Sequence, residues 1–201
     1  MASLVLNGNT SGSVTISSPS VSGTTTLTLP TSSGTITVAG VNSNIVSSTA
    51  QATTSGTFKD FTGIPSWVKR ITVMFNGVST SGTSIPIIQL GTSGGIETSG
   101  YVGNVATTNT TAIGNTAFST GFALCTAITS VAANTAFGAV YINMLSPSLY
   151  ECVGNIGYGS TPQISMLAGG KATAGAVDRI RITTVNGTDT FDAGSINILY
   201  E

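Results

Sequence analysis

Histidine is absent from this 201-residue chain, and only 6% of its residues are charged, against roughly a quarter in an ordinary soluble domain. The first absence removes the commonest general base, the commonest metal ligand and the usual serine or cysteine triad together. The second shapes the partners. No Asp, Glu, Lys or Arg precedes Lys59, and none lies between Glu97 and Glu151. A chain with a formal net charge of -1 has little long-range field to steer a polyanion, so nucleic acid is excluded as an expected partner. Long apolar runs are missing as well: Thr, Ser and Gly interrupt each one well short of the roughly 20 residues a membrane-spanning helix requires. The start, MASLVLNGNT, has neither a basic region nor a sustained apolar stretch, so no secretory signal and no membrane insertion are expected.

Cysteine is scarce too. Cys125 and Cys152 both sit in apolar strand-like runs. Two buried reduced thiols are the expectation, although a disulfide between them is geometrically possible. The Asn-x-Ser/Thr triplets at Asn9, Asn109 and Asn186 are what chance yields in a Ser/Thr-rich chain.

What the chain does contain is β-branched residues in alternation. TTTLTLPTSSGTITV (Thr24 to Val38) writes apolar-Thr-apolar twice around a Pro and a Ser-Ser-Gly turn, and Val14-Thr15-Ile16 writes it once before. The pairs Val14/Ile16, Leu27/Leu29 and Ile36/Val38 therefore each present one short apolar face, with threonine opposite. Two or three apolar side chains per strand cannot build a core within one chain, so this segment needs a partner surface, and these six residues are the candidate partner-binding set.

Texture divides the chain into three zones: a charge-free arm at 1–40, a small polar stretch at 41–57 readable as a linker or an irregular first strand, and a head at 58–201 that holds every charge. Strand signals recur in the head at intervals typical of a sandwich: WVKRITVMF ending at Asn76-Gly77, SIPIIQL, AFGAVYINML, LYECVGNIGY, ISMLA, AVDRIRITTV and SINILY. No window carries a capped apolar i, i+3, i+4 pattern. The expected fold is all-β: a short-strand N-terminal arm followed by an antiparallel two-sheet sandwich, jelly-roll-like because the Cys-Trp-Cys pattern of immunoglobulin domains is missing.

Chemistry-bearing groups are thin. The seven acids are scattered singly, which leaves no expected catalytic site, metal site or cofactor. Gly91-Thr-Ser-Gly-Gly95 lacks the lysine and helix of a phosphate loop and reads as a turn. On a strand, Arg179 and Arg181 share a face. They either form a solvated surface over Ile180 and Ile182 or cross a subunit interface to carboxylates such as Asp192 or Glu151. Trp67 and the tyrosines at 101, 141, 150 and 158 either pack or stack on sugar rings.

NGNTSGSVTISSPSVSGTTTLTLPTSSGTITV (Asn7 to Val38) resembles a segment near the start of tailed-bacteriophage virion proteins. The matching positions are Gly8 to Gly12 with one residue's slack, Pro19, Gly23 to Pro30 and Gly34 to Ile36. FTGIPSWVKRITVMFNGVSTSG (Phe61 to Gly82) resembles the opening of a domain in phage tail-fibre-like proteins. Together these cover the first 40 residues well and the head in part. The resemblance implies a homotrimer located in the virion, assembled in the bacterial cytoplasm, as a decoration or short fibre protein. Its arm would share a core about one axis or add strands to a capsid or tail partner. A host-surface glycan or protein is the alternative partner, met by distal loops such as Gly91 to Asn115.

Overall fold

The computed structural model describes residues 3–7, 11, 13–17, 45–127, 130–132, 134–160 and 162–201. They form two compact units, Met1–Asn42 and Ser43–Glu201. The first holds β1 (Ser3–Asn7) and β2 (Ser13–Ser17), an antiparallel hairpin.

The second unit contains β3 (Val46–Ser47), β4 (Gln51–Ala52), β5 (Lys59–Thr62), β6 (Arg70–Thr80), β7 (Pro86–Thr92), β8 (Gly95–Ile96) and β9 (Tyr101–Asn109). It continues with β10 (Ile113–Phe118), β11 (Phe122–Ala123), β12 (Ala136–Ser146), β13 (Leu149–Tyr158), β14 (Gln163–Ala172), β15 (Arg179–Thr184) and β16 (Phe191–Tyr200). These strands make two antiparallel sheets. The nine-stranded sheet runs β10-β9-β14-β13-β12-β6-β16-β3, with β4 also on β16, and the five-stranded sheet runs β11-β7-β15-β5, with β8 on β7. The all-β expectation holds: the described residues contain no helix, so none is long and apolar enough to cross a membrane.

Alternation decides which side of each strand is buried. Ile71, Val73 and Phe75 on β6, Val140 and Ile142 on β12, Cys152 and Ile156 on β13, and Ile196 and Ile198 on β16 enter one core with Ile88, Leu90, Ile180 and Ile182 of the smaller sheet. Polar residues on inward positions are satisfied locally: the Thr107 and Ser165 hydroxyls lie 2.7 Å apart, and Thr107 Oγ1 accepts the Thr126 N–H at 3.1 Å. Both cysteines are buried and carry no disulfide, as the composition led us to expect.

Three readings need correction in detail. Asn76-Gly77 does not end its strand; β6 runs on to Thr80, and the extra residue is absorbed as a bulge against β12 and β16. Gly77 takes φ +67° there and Gly194, opposite it, takes φ +89°, where a Cβ would fall 2.4 Å from the Gly77 carbonyl carbon. Two glycines thus let two bulges meet back to back. Second, residues 101–109 form β9 inside the nine-stranded sheet, not a distal loop. Third, of the two readings of 41–57 the linker gives way to the irregular strand: Val46–Ser47 and Gln51–Ala52 pair with β16 in the second unit.

Candidate functional site

In the N-terminal hairpin, Leu4 pairs with Ile16 and Leu6 with Val14, alternating with the Val5–Thr15 pair. Two of the six candidate partner-binding residues, Val14 and Ile16, thus occupy alternate register positions of one ladder. Sequence reasoning had not singled out Leu4 and Leu6, although SLVLN carries the same alternation. Leu27, Leu29, Ile36 and Val38 lie outside the described residues.

The carboxylates do not gather. Asp60 receives a bidentate pair from Arg181, with Nε at 2.7 Å and Nη2 at 2.6 Å, and Asp178 is held the same way by Arg179 at 2.7 and 3.1 Å. Glu151 accepts from Asn143 Nδ2 at 2.6 Å, Asp192 from the Ser79 hydroxyl, Asp189 from Ser84 N and Asn186 Nδ2, and Glu201 pairs with Arg70. Arg179 and Arg181 thus find their carboxylates within the chain, and neither Asp192 nor Glu151 is their partner. Hydrogen bonding from Arg179 holds the Asp178 carboxyl below its usual range, against the opposing effect of burial. Among the described residues no three His, Cys, Asp or Glu side chains come together as a metal cage.

The seventh acid belongs to a buried network. Lys171, only 6% exposed on β14, places Nζ on the Glu97 carboxylate and on the Ala172 carbonyl, 5.5 Å from the Tyr101 ring centroid. Glu97 also accepts the Ala174 N–H at 2.8 Å. Burial works to raise the Glu97 carboxyl, but the hydrogen bonds from Lys171 and Ala174 and the Lys171 charge outweigh it, so the group titrates below its ordinary value of 4.5. The Tyr101 hydroxyl accepts from Leu90 N at 2.6 Å and donates to the Glu97 carbonyl at 2.9 Å, and burial pushes its titration up. Every polar atom here has a structural partner, which makes the cluster a tie between β7, β9 and β14.

Aromatic residues divide in the same way. Tyr101 and Tyr150 are buried, and Tyr150 Oη accepts from Val177 N at 3.0 Å. Tyr158 is largely buried and donates to the Leu124 carbonyl at 3.3 Å. Tyr141 and Trp67 are exposed, the latter tilted against Tyr200 with centroids 6.0 Å apart.

Two of the open features on the surface of the second unit bear on function. The smaller sheet's outer side carries a trough of about 410 Å³, lined by Phe58, Gln89, Thr98, Thr120, Arg181 and Thr183 among others. The Arg181 guanidinium lies 4.1 Å from the half-exposed Phe58 ring centroid, and Gln89 donates to the Thr120 carbonyl at 2.9 Å. By contrast, the interior cavity bordered by Phe75, Leu124, Asn134 and Phe191 measures about 20 Å³, room for a single water. The other open feature is the outer face of the larger sheet, where Val102, Tyr141, Val153, Ile164 and Met166 stand exposed.

Comparison of the chain with protein-family models, curated proteins and solved structures finds no match.

Proposed function

We propose that this chain is a non-enzymatic structural component of a bacteriophage virion: a homotrimeric decoration or short fibre protein, anchored by its N-terminal arm to capsid or tail. The observation that carries the reading is the division into a hairpin unit and a separate unit with its own core, beside acids and bases consumed in structural pairs. An arm too small to bury its own apolar residues gains stability from a partner, while the sandwich folds without one. Attachment through several identical arms multiplies a weak contact into a firm one without any chemistry. The sequence resemblance supplies the virion setting and the number three.

The test removes Met1 to Asn42. The remaining chain, which keeps the whole sandwich core, should retain a cooperative melt and a β-rich spectrum yet fail to join particles in an in vitro assembly reaction. Incorporation at the full-length level would rule out the arm as the anchor.

A second reading rests on the trough beside Phe58: a host-surface glycan recognised by the smaller sheet. Its size, its half-exposed Phe58 ring and the hydroxyls of Thr98 and Thr120 beside it are those of a sugar subsite. On this reading the purified protein blocks phage adsorption to cells, and Phe58→Ala abolishes the block while leaving the melt unchanged; equal blocking by the variant removes the trough from consideration.

A further inference from the structure

We infer that the outer face of the five neighbouring strands β10, β9, β14, β13 and β12 is the surface on which copies of this chain meet. The inference takes only self-association from the proposed function, not a virion location: a face that meets its own copy does so about a two-fold axis, so this contact is additional to any three-fold one made by the arms.

An ordinary antiparallel sheet with one face in the core shows polar residues on the other. On this sheet the other face carries Asn104, Asn115, Asn143 and Asn155, but large apolar side chains outnumber its polar ones. Nine exposed large hydrophobic residues fall on its five strands, Val102 and Ile113 at 74% and 81% exposure among them. So many exposed apolar side chains gathered on one face of a folded unit mark an interaction site. With strands of 6, 9, 10, 10 and 11 residues, the face measures about 24 Å by about 31 Å, on the order of 750 Å². A standard-size complex buries about 600 to 1,000 Å² on each partner, and the face falls within that range.

Charge and relief point to a second copy as the occupant. Near a two-fold axis a residue faces its own copy, so a surface nearly free of charge suits self-association without like-charge repulsion. On the outward positions of these strands the sole charged residue is Glu151, already bonded to Asn143. Relief follows from register. Gly157 stands between Ile164 and Phe137, Met166 between Ala106 and Asn155, and Gly170 between Val102 and Glu151. Small residues thus stand beside large ones along the face, and a copy shifted by one strand can seat its projections over Gly157 and Gly170. A foreign partner would require no such self-matching pattern.

The experiment is light scattering on the purified full-length chain, before and after the paired substitutions Val153→Glu and Met166→Glu. The wild type should elute as two or more chains, and the variant should dissociate on the order of 100-fold more readily because two charges would be buried without partners. Thr62→Glu on the smaller sheet should leave the mass unchanged. A wild-type monomer at tens of micromolar overturns the inference, as does an assembly that tolerates both acidic substitutions. Should the acidic variant not fold, Met166→Cys provides a second reading: its thiol should be alkylated at least about tenfold more slowly in concentrated than in dilute protein, and equal rates overturn the inference. A multimer that ignores virions would sink the virion role and leave this interface standing.

Discussion

Lys171→Met should lower the unfolding free energy by about 3 kcal/mol at neutral pH, the lower end of the cost of stranding one charge of a buried pair. The lower end applies because the Glu97 side chain keeps 20% of its exposure while Lys171 keeps 6%. The change removes the donor to Glu97 and to the Ala172 carbonyl and leaves a carboxylate that burial already disfavours. Removing both charges with Lys171→Met and Glu97→Leu should cost less than Lys171→Met alone, since no ion is then left unpaired. Denaturant melts of the four proteins close a double-mutant cycle, and a double variant as unstable as the sum of the singles would refute the pairing. The acid limb gives an independent check. Glu97 titrates lower when folded than its ordinary value of 4.5, so its contribution is complete above that value and is lost as pH falls through the folded value. The gap between wild type and Lys171→Met should therefore shrink as pH is taken from 6 to 3; a constant gap would show that packing of the lysine stem, not its charge, sets the loss.

Much of the sandwich is legible in the sequence, and what is hidden has physical causes. LYECVGNIGY is β13 residue for residue, and AFGAVYINML lacks only Ser146 of β12, because inward Val140 and Ile142 on one strand and Cys152 and Ile156 on the other keep to a two-residue period within runs bounded by turn residues. β9 escapes notice because two of its inward positions carry no apolar signal. Gly103 leaves room for the Phe118 ring, and Thr107 is buried by bonding Ser165. The first half of β16 is masked by Asp192 and Gly194, which look like a turn and are bulge residues. Pairing between Arg181 and Asp60 spans 121 positions and has no local trace, so the sequence can present two arginines on one face without naming their carboxylates. The outer face of the larger sheet is hidden for the opposite reason: apolar residues on both sides of a strand read as a deeper core. Alternation does give Val14 and Ile16 their place in a ladder, though not the strand at Leu4 and Leu6 that receives them.

Phe122→Ala should be the costliest single truncation in the second unit, about 4 kcal/mol, within the range for a fully buried aromatic. Phe122 is wholly buried on β11 of the smaller sheet. It stands edge-on to Tyr101 of β9 at 5.0 Å and to Phe118 of β10 at 5.8 Å, so one ring from the smaller sheet engages two from the larger. The alanine variant leaves a cavity bounded by two rigid rings and by strands whose glycines already bring backbone and ring close together, so little collapse is available to fill it. Phe122→Leu retains most of the volume and should cost about 1.5 kcal/mol or less. Denaturant titration with tyrosine fluorescence measures both, and equal losses would mean that ring geometry, not volume, sets the cost. The consequence reaches the proposed interface. β9 and β10 carry Val102 and Ile113 on the side opposite these rings, so the inward packing that fixes the strands also fixes the relief they present outward. Phe122→Ala should therefore weaken association of the folded chain as well as its stability, whereas Phe122→Leu should leave association intact.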